Sequence, residues 1–357
     1  MTYRYDRRQF LWLGSAALGS TLFLKACSTG TPTNSSPSSE ASPGSATPAK
    51  DFKAAIVLPG IITDKAWNQA GYEGLTVAKD KLGVETAYVE KVSQADQAEA
   101  LSDFARRGFN LVFAHGGQFD AAIQQVAGQF PKTFFVGVNG AAKGSNIASL
   151  RIDHLQASYI CGIIGASMTK TNKMAYLAGQ EFQATQEEMR GFELGAKSVK
   201  PEIAITASFT GDWNDAAKAK EAVEALISAG SDVIFQWLDN AAPTVLQTAA
   251  DKGVYAFGNT ADQLEVAPKA VLTSSVKRID LAIAYLADLA VKQELKGEIY
   301  TLGLEKSDIL FLGKFGVAVP ESVKRKAEET KQAILSKKLV FTACQENGKD
   351  TRCVKKA

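Results

Sequence analysis

Short apolar runs and helical patterns alternate twice along this chain, and that rhythm limits the folds open to it. The first series starts with an apolar run at Ala54–Leu58 and a helical pattern at Trp67–Leu82. The second starts at Met174–Leu177 and continues to Val254–Phe257. Apolar runs without strict alternation, separated by helices, are typical of parallel strands covered on both faces. The sequence therefore predicts an α/β protein with two doubly wound parallel-sheet lobes.

The first 27 residues read as an export signal. Arg7 and Arg8 stand directly before a short apolar run that ends at Leu24. A twin arginine ahead of such a run is typical of bacterial export signals, and the run is too short to span a membrane. The string that ends at Cys27 resembles the lipobox of bacterial lipoproteins, although Lys25 replaces the usual small residue. The resemblance implies that Cys27 is lipidated; an ordinary signal peptide with an incidental cysteine is the alternative.

Residues 28–50 are nearly all Ser, Thr, Pro, Gly and Ala, and no apolar side chain is larger than Ala. Such a segment cannot bury enough surface to offset its ordering entropy, so we expect a flexible linker. A lipid, a linker and a folded body from about Asp51 indicate a protein anchored at a membrane surface. Stable anchoring requires more than one acyl chain. The remaining roughly 300 residues are enough for two domains.

The charge of the folded body argues against nucleic-acid binding. The whole chain has 40 basic and 38 acidic residues, for a net charge of +2. The leader contains four basic residues and one acidic residue, so its removal leaves 36 basic and 37 acidic. A near-neutral body lacks the basic patch of a nucleic-acid binder. With only two histidines and no Cys-x-x-Cys string, neither a metal site nor a cofactor is expected.

The cysteines of the body suggest one cross-link. Cys161 lies in an apolar helical pattern and is expected in the core. Cys344 and Cys353 flank a turn-rich segment, which in an exported protein favours a disulfide, with two free thiols as the alternative. No apolar run in the body approaches the length of a membrane span.

Polar and aromatic residues follow the strands of the first series. Asp64 comes after the first strand and is expected to cap the next helix, whose first turn contains Trp67 and Asn68. His115 and Gly116 follow the third strand, where a glycine lets the backbone approach a ligand. The alternatives are that Asp64 is only a cap, that Trp67 packs between helices and that His115 is structural.

The second series has the same arrangement. Polar or aromatic residues again stand at the ends of predicted strands, namely Phe182, Trp237, Asp239, Asn259, Asp262 and Lys277. The carboxyl ends of parallel strands form the ligand-binding edge of a doubly wound sheet. Trp67, Phe182 and Trp237 are therefore candidate stacking rings for a flat ligand. Each ring could instead be core, and Lys277 could be either a cleft donor or a helix-start charge.

Catalytic motifs are absent from the sequence. It contains no Gly-x-Ser-x-Gly, no His-Glu-x-x-His and no phosphate-binding loop. This absence favours binding without turnover, so we do not expect an enzyme. An exported nucleoside hydrolase is the alternative from another class, and it would require an acidic metal or base cluster.

Several stretches of the chain are similar to those of a known family, namely Gly60–Gly71, Asn110–Ala114, Ala157–Lys170, Glu187–Val199, Ala222–Gln236 with Asp239, and Asp262-Gln263 with Pro268–Ser274. With them the chain resembles the basic-membrane-protein family, the Med or PnrA-like group of ABC-transporter substrate-binding lipoproteins. The resemblance runs from about Ala54 to Phe315.

The resemblance implies a type I periplasmic-binding-protein fold that closes on its ligand by hinge motion. It implies a purine nucleoside or nucleobase as ligand, held by Asp64, Trp67 and Asn68, with Phe182 stacking and with Asp239 and Lys277 as polar contacts. Thr260 departs from the family pattern, which has an acidic residue there, and this removes a strong acceptor. The same fold binding a sugar or an amide is the alternative.

The fold type implies three chain crossings, which we expect near Lys170, Ser275 and Leu302. The predicted organisation is a leader at 1–27, a linker at 28–50, lobe 1 at 51–170 plus 276–302, lobe 2 at 171–275 plus 303–340, and a tail at 341–357. We expect a monomer outside the cytoplasm, either periplasmic or held at the outer face of the cytoplasmic membrane by its lipid. Its expected partners are a small ligand and an ABC permease.

Overall fold

The computed structural model describes residues 51–64, 67–346 and 348–356. The predicted leader, linker and lipidation site at Cys27 lie outside this part of the chain. Its strands are β1 (Lys53–Val57), β2 (Glu85–Val89), β3 (Leu111–His115), β4 (Phe134–Val138), β5 (Ile147–Ile152), β6 (Lys173–Ala178), β7 (Ala204–Phe209), β8 (Val233–Trp237), β9 (Tyr255–Thr260), β10 (Val271–Lys277), β11 (Ile299–Leu302), β12 (Leu310–Leu312), β13 (Leu339–Glu346) and β14 (Lys349–Lys356).

The helices within the same residues lie mostly between the strands. They are α1 (Trp67–Leu82), α2 (Gln97–Arg106), α3 (Asp120–Ala127), α4 (His154–Met168), α5 (Gln183–Lys197), α6 (Ala216–Ser228), α7 (Ala242–Asp251), α8 (Ile279–Val291) and α9 (Glu321–Leu335). Several begin at chemically suitable residues. Asp215 accepts from the backbone N–H groups of Ala217 and Lys218, and Pro243 lies in the first turn of α7.

Two separate sheets confirm the predicted two-lobe α/β architecture. Lobe 1 has the strand order β11-β5-β4-β3-β1-β2, with every neighbouring pair parallel. Lobe 2 has the order β12-β10-β9-β8-β6-β7, and it is parallel except for β12, which runs antiparallel to β10. The interior strands β3 and β10 are buried along their whole lengths, which explains why all their residues except the last, His115 and Lys277, are apolar or small.

The chain changes sheets first at Asp153, not at the expected position near Lys170. The reason is that α4, which begins at His154, packs mainly against α5 of lobe 2. Glycines at this contact allow close packing: a Cβ on Gly162 would collide with backbone atoms of α5, and one on Gly195 with those of α4. The apolar pattern of α4 identified a helix but gave no information about the lobe on which it packs.

The chain changes sheets a second time at Arg278, after β10, and a third time between Leu302 and β12. The crossing segments are joined by backbone hydrogen bonds. Asp153 N–H donates to Leu302 O at 2.9 Å, and Arg278 N–H donates to Ile309 O at 2.8 Å. These bonds place the crossings side by side.

Most of the C-terminal segment that the sequence predicts as a tail consists of two strands. Strands β13 and β14 form an antiparallel hairpin that contacts α9 and α5. A disulfide joins Cys344 to Cys353 within this hairpin. Cys161 is a free, buried cysteine on α4.

Candidate functional site

The candidate site lies at the point where strand order reverses in each sheet. In lobe 1, β1 has β2 on one side and β3 on the other, and in lobe 2, β6 stands between β7 and β8. Adjacent connections leave such a point in opposite directions, and this opens a crevice at the carboxyl ends of the strands. Several predicted site residues lie at this edge: Asp64 and Phe182 follow β1 and β6, whereas His115 and Trp237 are the last residues of β3 and β8.

Asp64 organises the loop between β1 and α1. Its Oδ2 accepts from Asn68 N–H at 3.0 Å and from Asn68 Nδ2 at 2.7 Å, while Oδ1 accepts from Gln69 N–H at 3.0 Å. Asn68 Oδ1 in turn accepts from Gly60 N–H at 2.9 Å. Asp64 therefore caps the first turn of α1, as predicted, and fixes the orientation of Asn68.

Trp67 stacks on His115. The ring centroids are 4.0 Å apart with an interplanar angle of 20°, and His115 Nε2 lies 2.8 Å from Trp67 O. A carbonyl only accepts, so Nε2 carries the proton, and the buried Nδ1 has no partner among the described residues. Burial lowers the pKa of His115 to about 4, which keeps the ring neutral. His115 thus packs against one face of the Trp67 ring and holds it in place.

Gly71 of α1 makes room for this histidine. A Cβ at Gly71 would lie 2.7 Å from His115 Cε1 and Nε2. Helix α1 can therefore approach β3 only because this position has no side chain. Gly116, the next residue after His115, has φ of 141° and is buried. The backbone there adopts a conformation that favours glycine.

Lobe 2 contributes a row of aromatic rings. Phe182 and Trp213 are stacked with centroids 6.3 Å apart, and Trp213 meets Trp237 edge-on at 6.3 Å. Phe182 keeps 58% of its surface exposed, so its ring is available to a ligand. Sequence reasoning missed Trp213. The signal was present, because the string Asp212-Trp213-Asn214 comes shortly after the apolar residues that form β7 (Ala204–Phe209), as the other candidate loops follow their strands.

Asp239 faces the other lobe across the cleft. Burial, followed by the negative charge of Asp64, raises the pKa of Asp239 to about 6. The next residue makes a direct link between the lobes, since Asn240 Nδ2 donates to Asp64 O at 3.2 Å. A second link is the ion pair of Arg151 with Glu187, at 3.1 Å. The two predicted carboxylates, one from each lobe, therefore lie near each other.

Three other predicted residues make contacts mainly within the protein. Lys277 Nζ donates to Glu188 Oε1 at 2.5 Å and to Asn259 Oδ1 at 2.8 Å. Asp262 accepts from Lys314 N–H at 3.0 Å and is exposed. Asn259 and Lys277 thus belong to a buried network under the cleft, and Asp262 organises a loop.

Two negative findings concern the described residues alone. No group of three or more His, Cys, Asp or Glu side chains in this part of the chain is placed to hold a metal ion. None of its helices combines the length and the apolar character of a membrane-spanning segment.

Comparison with known proteins identifies the family. The Bmp family model, which describes PnrA-like ABC transporter substrate-binding proteins, matches residues 52–343. The chain belongs to this family. ABC transporter substrate-binding proteins are extracytoplasmic; they bind a small molecule, deliver it to a membrane permease and do not catalyse a reaction.

Three curated relatives are each 29% identical to this chain. A transcriptional activator protein, Med, of Bacillus subtilis covers 77% of this chain and 86% of its own length. A purine-binding protein of Brucella abortus covers 83% and 84%. An ABC transporter nucleoside-binding protein, BmpA, of Lactococcus lactis covers 73% of each chain.

Solved structures support the fold assignment. A transcriptional activator of the comK gene from Bacillus halodurans has a TM-score of 0.70 and 28% identity, covering 80% of this chain and 97% of its own. An ABC transporter solute-binding protein from Aeropyrum pernix has a TM-score of 0.71 and 20% identity, covering 83% and 94%.

Proposed function

We propose that this chain binds a purine base or nucleoside between its two lobes and delivers it to an ABC permease. The observation that carries the proposal is the combination of aromatic rings and carboxylates at the cleft. Trp67 stands in one lobe and Phe182, Trp213 and Trp237 in the other, with Asp64 and Asp239 between them. The names of the Brucella and Lactococcus relatives support the same class of ligand.

The chemistry of a purine suits these side chains. Its flat ring system stacks on aromatic faces, and its edge has several N–H donors, which carboxylates accept well. A nucleoside adds hydroxyl donors of the same kind. Asn68 is held by Asp64 and Gly60, so it is oriented before the ligand arrives. The ligand contacts of Asp64, Trp67, Asn68, Phe182 and Asp239 are proposals on this basis.

Hinge motion is proposed to close the lobes on the ligand. The three adjacent crossings provide the hinge, and the Asn240–Asp64 and Arg151–Glu187 links join the lobes. A ligand that contacts both lobes stabilises the closed form by its extra affinity for that form. Small-angle scattering of the monomer should show a smaller radius of gyration with ligand than without, and an unchanged radius would refute closure.

Membrane attachment is proposed to begin at Cys27. The twin arginine directs export, the lipid anchors the chain, and residues 28–50 form the linker. Mass spectrometry of the exported protein should find acylated Cys27 as the first residue. An unmodified N-terminus at another position would refute the lipid anchor.

The binding test is a thermal-shift and titration panel of adenine, guanine, their ribonucleosides, glucose and an amino-acid mixture. We expect stabilisation by at least one purine. Trp67→Ala should weaken its binding by the loss of one stacking face, about 1–3 kcal/mol or roughly 5- to 150-fold. Phe130→Ala is the matched control, because Phe130 precedes β4 and therefore lies at the amino ends of the lobe 1 strands, away from the cleft. Stabilisation by glucose or amino acids alone would refute the purine assignment.

A further inference from the structure

A buried ammonium group lies against the inner ring of the aromatic row. Lys277 Nζ is 3.4 Å from the centroid of the Trp237 ring, a cation–π contact. The Lys277 side chain is 2% exposed and that of its ion-pair partner Glu188 is 0% exposed. Such a pair is retained in a protein interior only when each group has partners for its remaining hydrogen-bonding atoms.

That condition is met here. The ammonium group has three donors, and it contacts Glu188 Oε1, Asn259 Oδ1 and the face of Trp237. Glu188 Oε2 accepts from Asn259 Nδ2 at 2.8 Å and from Tyr176 OH at 3.1 Å. We call Tyr176, Glu188, Asn259, Lys277 and Trp237 the Trp237 platform. Lys277 has no donor left for a ligand, which differs from the ligand contact that the family resemblance implies.

The platform combines residues from five elements under the binding edge of lobe 2. Glu188 comes from the middle of α5, and Lys277 and Trp237 are the last residues of β10 and β8. His154, the first residue of α4, also lies against the Trp237 ring, at 4.9 Å between centroids. Trp237 therefore contacts residues next to the first and second chain crossings.

We propose that Glu188 is a positioning residue that fixes Trp237 as a stacking surface by holding the Lys277 ammonium against it. Without the carboxylate, a buried unpaired ammonium group is strongly unfavourable, so Lys277 must move toward water. Because Lys277 is the last residue of β10, at the carboxyl edge of the sheet, we expect this movement to be into the cleft and to remove the support from the ring. This inference rests on the proposed binding of a flat ligand in the cleft. One of its two tests, the quenching of Trp237 fluorescence, requires no ligand.

The ligand-dependent test is a double-mutant cycle between Glu188→Gln and Trp237→Leu, read as the dissociation constant of the purine that binds best. Glu188→Gln keeps the side-chain size and removes the charge. We expect it to weaken binding at least about fivefold with Trp237 present, and to have no effect in the Trp237→Leu background, because it acts through the ring. Equal weakening in both backgrounds would mean a merely structural role and would overturn the proposal.

The ligand-free test measures the ring itself. The chain has four tryptophans, so replacing Trp12, Trp67 and Trp213 by Phe leaves Trp237 alone. In that protein we expect Glu188→Gln, and also the charge-free pair Glu188→Leu with Lys277→Met, to increase acrylamide quenching of Trp237 fluorescence. The charge-free pair protects the test from misfolding, since it leaves no buried unpaired charge.

A matched control lies on the same helix. Glu193 pairs with Arg190 and Lys197 on the outer side of α5, and Glu193→Gln should leave both quenching and binding unchanged. Unchanged quenching in folded Glu188→Gln and in the charge-free pair overturns the positioning role even if purines bind. Increased quenching without any purine binding supports the platform and contradicts the proposed ligand instead.

Discussion

Replacing Asp239 by Asn should stabilise the protein, and only at a pH where the carboxylate is ionised. Burial and the nearby Asp64 raise the pKa of Asp239 from its usual 3.8 to about 6. The folded state therefore holds this proton more tightly than the unfolded chain does. It follows that the group's contribution to stability is greatest below pH 3.8, falls as the pH rises toward 6, and is constant above that.

The magnitude follows from the shift. About two pKa units correspond to roughly 3 kcal/mol, and because Asp239 keeps some contact with solvent, we expect about 1–3 kcal/mol. Urea unfolding of the wild type and of Asp239→Asn from pH 4 to pH 8 measures this. The variant should match the wild type near pH 4, gain stability as the pH rises toward about 6, and keep a constant advantage from there to pH 8.

Asp80→Asn is the control, because Asp80 is an exposed carboxylate on α1 of lobe 1. It should change stability little at any pH. A gain from Asp239→Asn of the same size at pH 4 and pH 7.5, or a loss at pH 7.5, would refute the electrostatic reasoning.

Three further predictions concern single residues. Asp64→Ala removes acceptors for backbone N–H groups of α1 and should cost about 1 kcal/mol in urea unfolding, and no loss would mean that the cap is dispensable. Gly71→Ala places a methyl group 2.7 Å from the His115 ring and should lower the free energy of unfolding by about 1–3 kcal/mol. Gly128→Ala is the control, because its methyl group meets open space and should leave the free energy of unfolding unchanged. Equal effects of the two substitutions would contradict the packing of Gly71 against His115. Cys27→Ser should move the protein from the membrane fraction to the soluble fraction, and continued membrane association would exclude the lipid anchor.

The sequence was sufficient for the architecture because local patterns determine it. Buried parallel strands such as β3 appear as continuous apolar runs, and helices with one buried face appear between them. The cleft loops could also be placed, since a residue that follows a strand lies at the carboxyl edge of the sheet. That argument located Asp64, Trp67 and Asp239.

The features that were missed depend on contacts distant in sequence. Glu188 looks like a surface charge on an amphipathic helix, and only its ion pair with Lys277, 89 residues away, shows that it is buried. Helix α4 was assigned to lobe 1, since an almost uniformly apolar helix gives no direction for its packing. Trp213 is the exception, because it follows β7 and the argument that located Asp64 applies to it as well; only the bond from Asp239 N–H to its carbonyl oxygen, at 3.0 Å, depends on a residue distant in sequence.

Calorimetric titration of the purified protein with adenine and adenosine, repeated with Trp67→Ala, tests the central claim most directly. We expect one site per chain and roughly 5- to 150-fold weaker binding by the variant. Absence of binding heat and of thermal stabilisation for every purine, or equal affinity of the two proteins, would contradict a receptor that holds a flat ligand against Trp67.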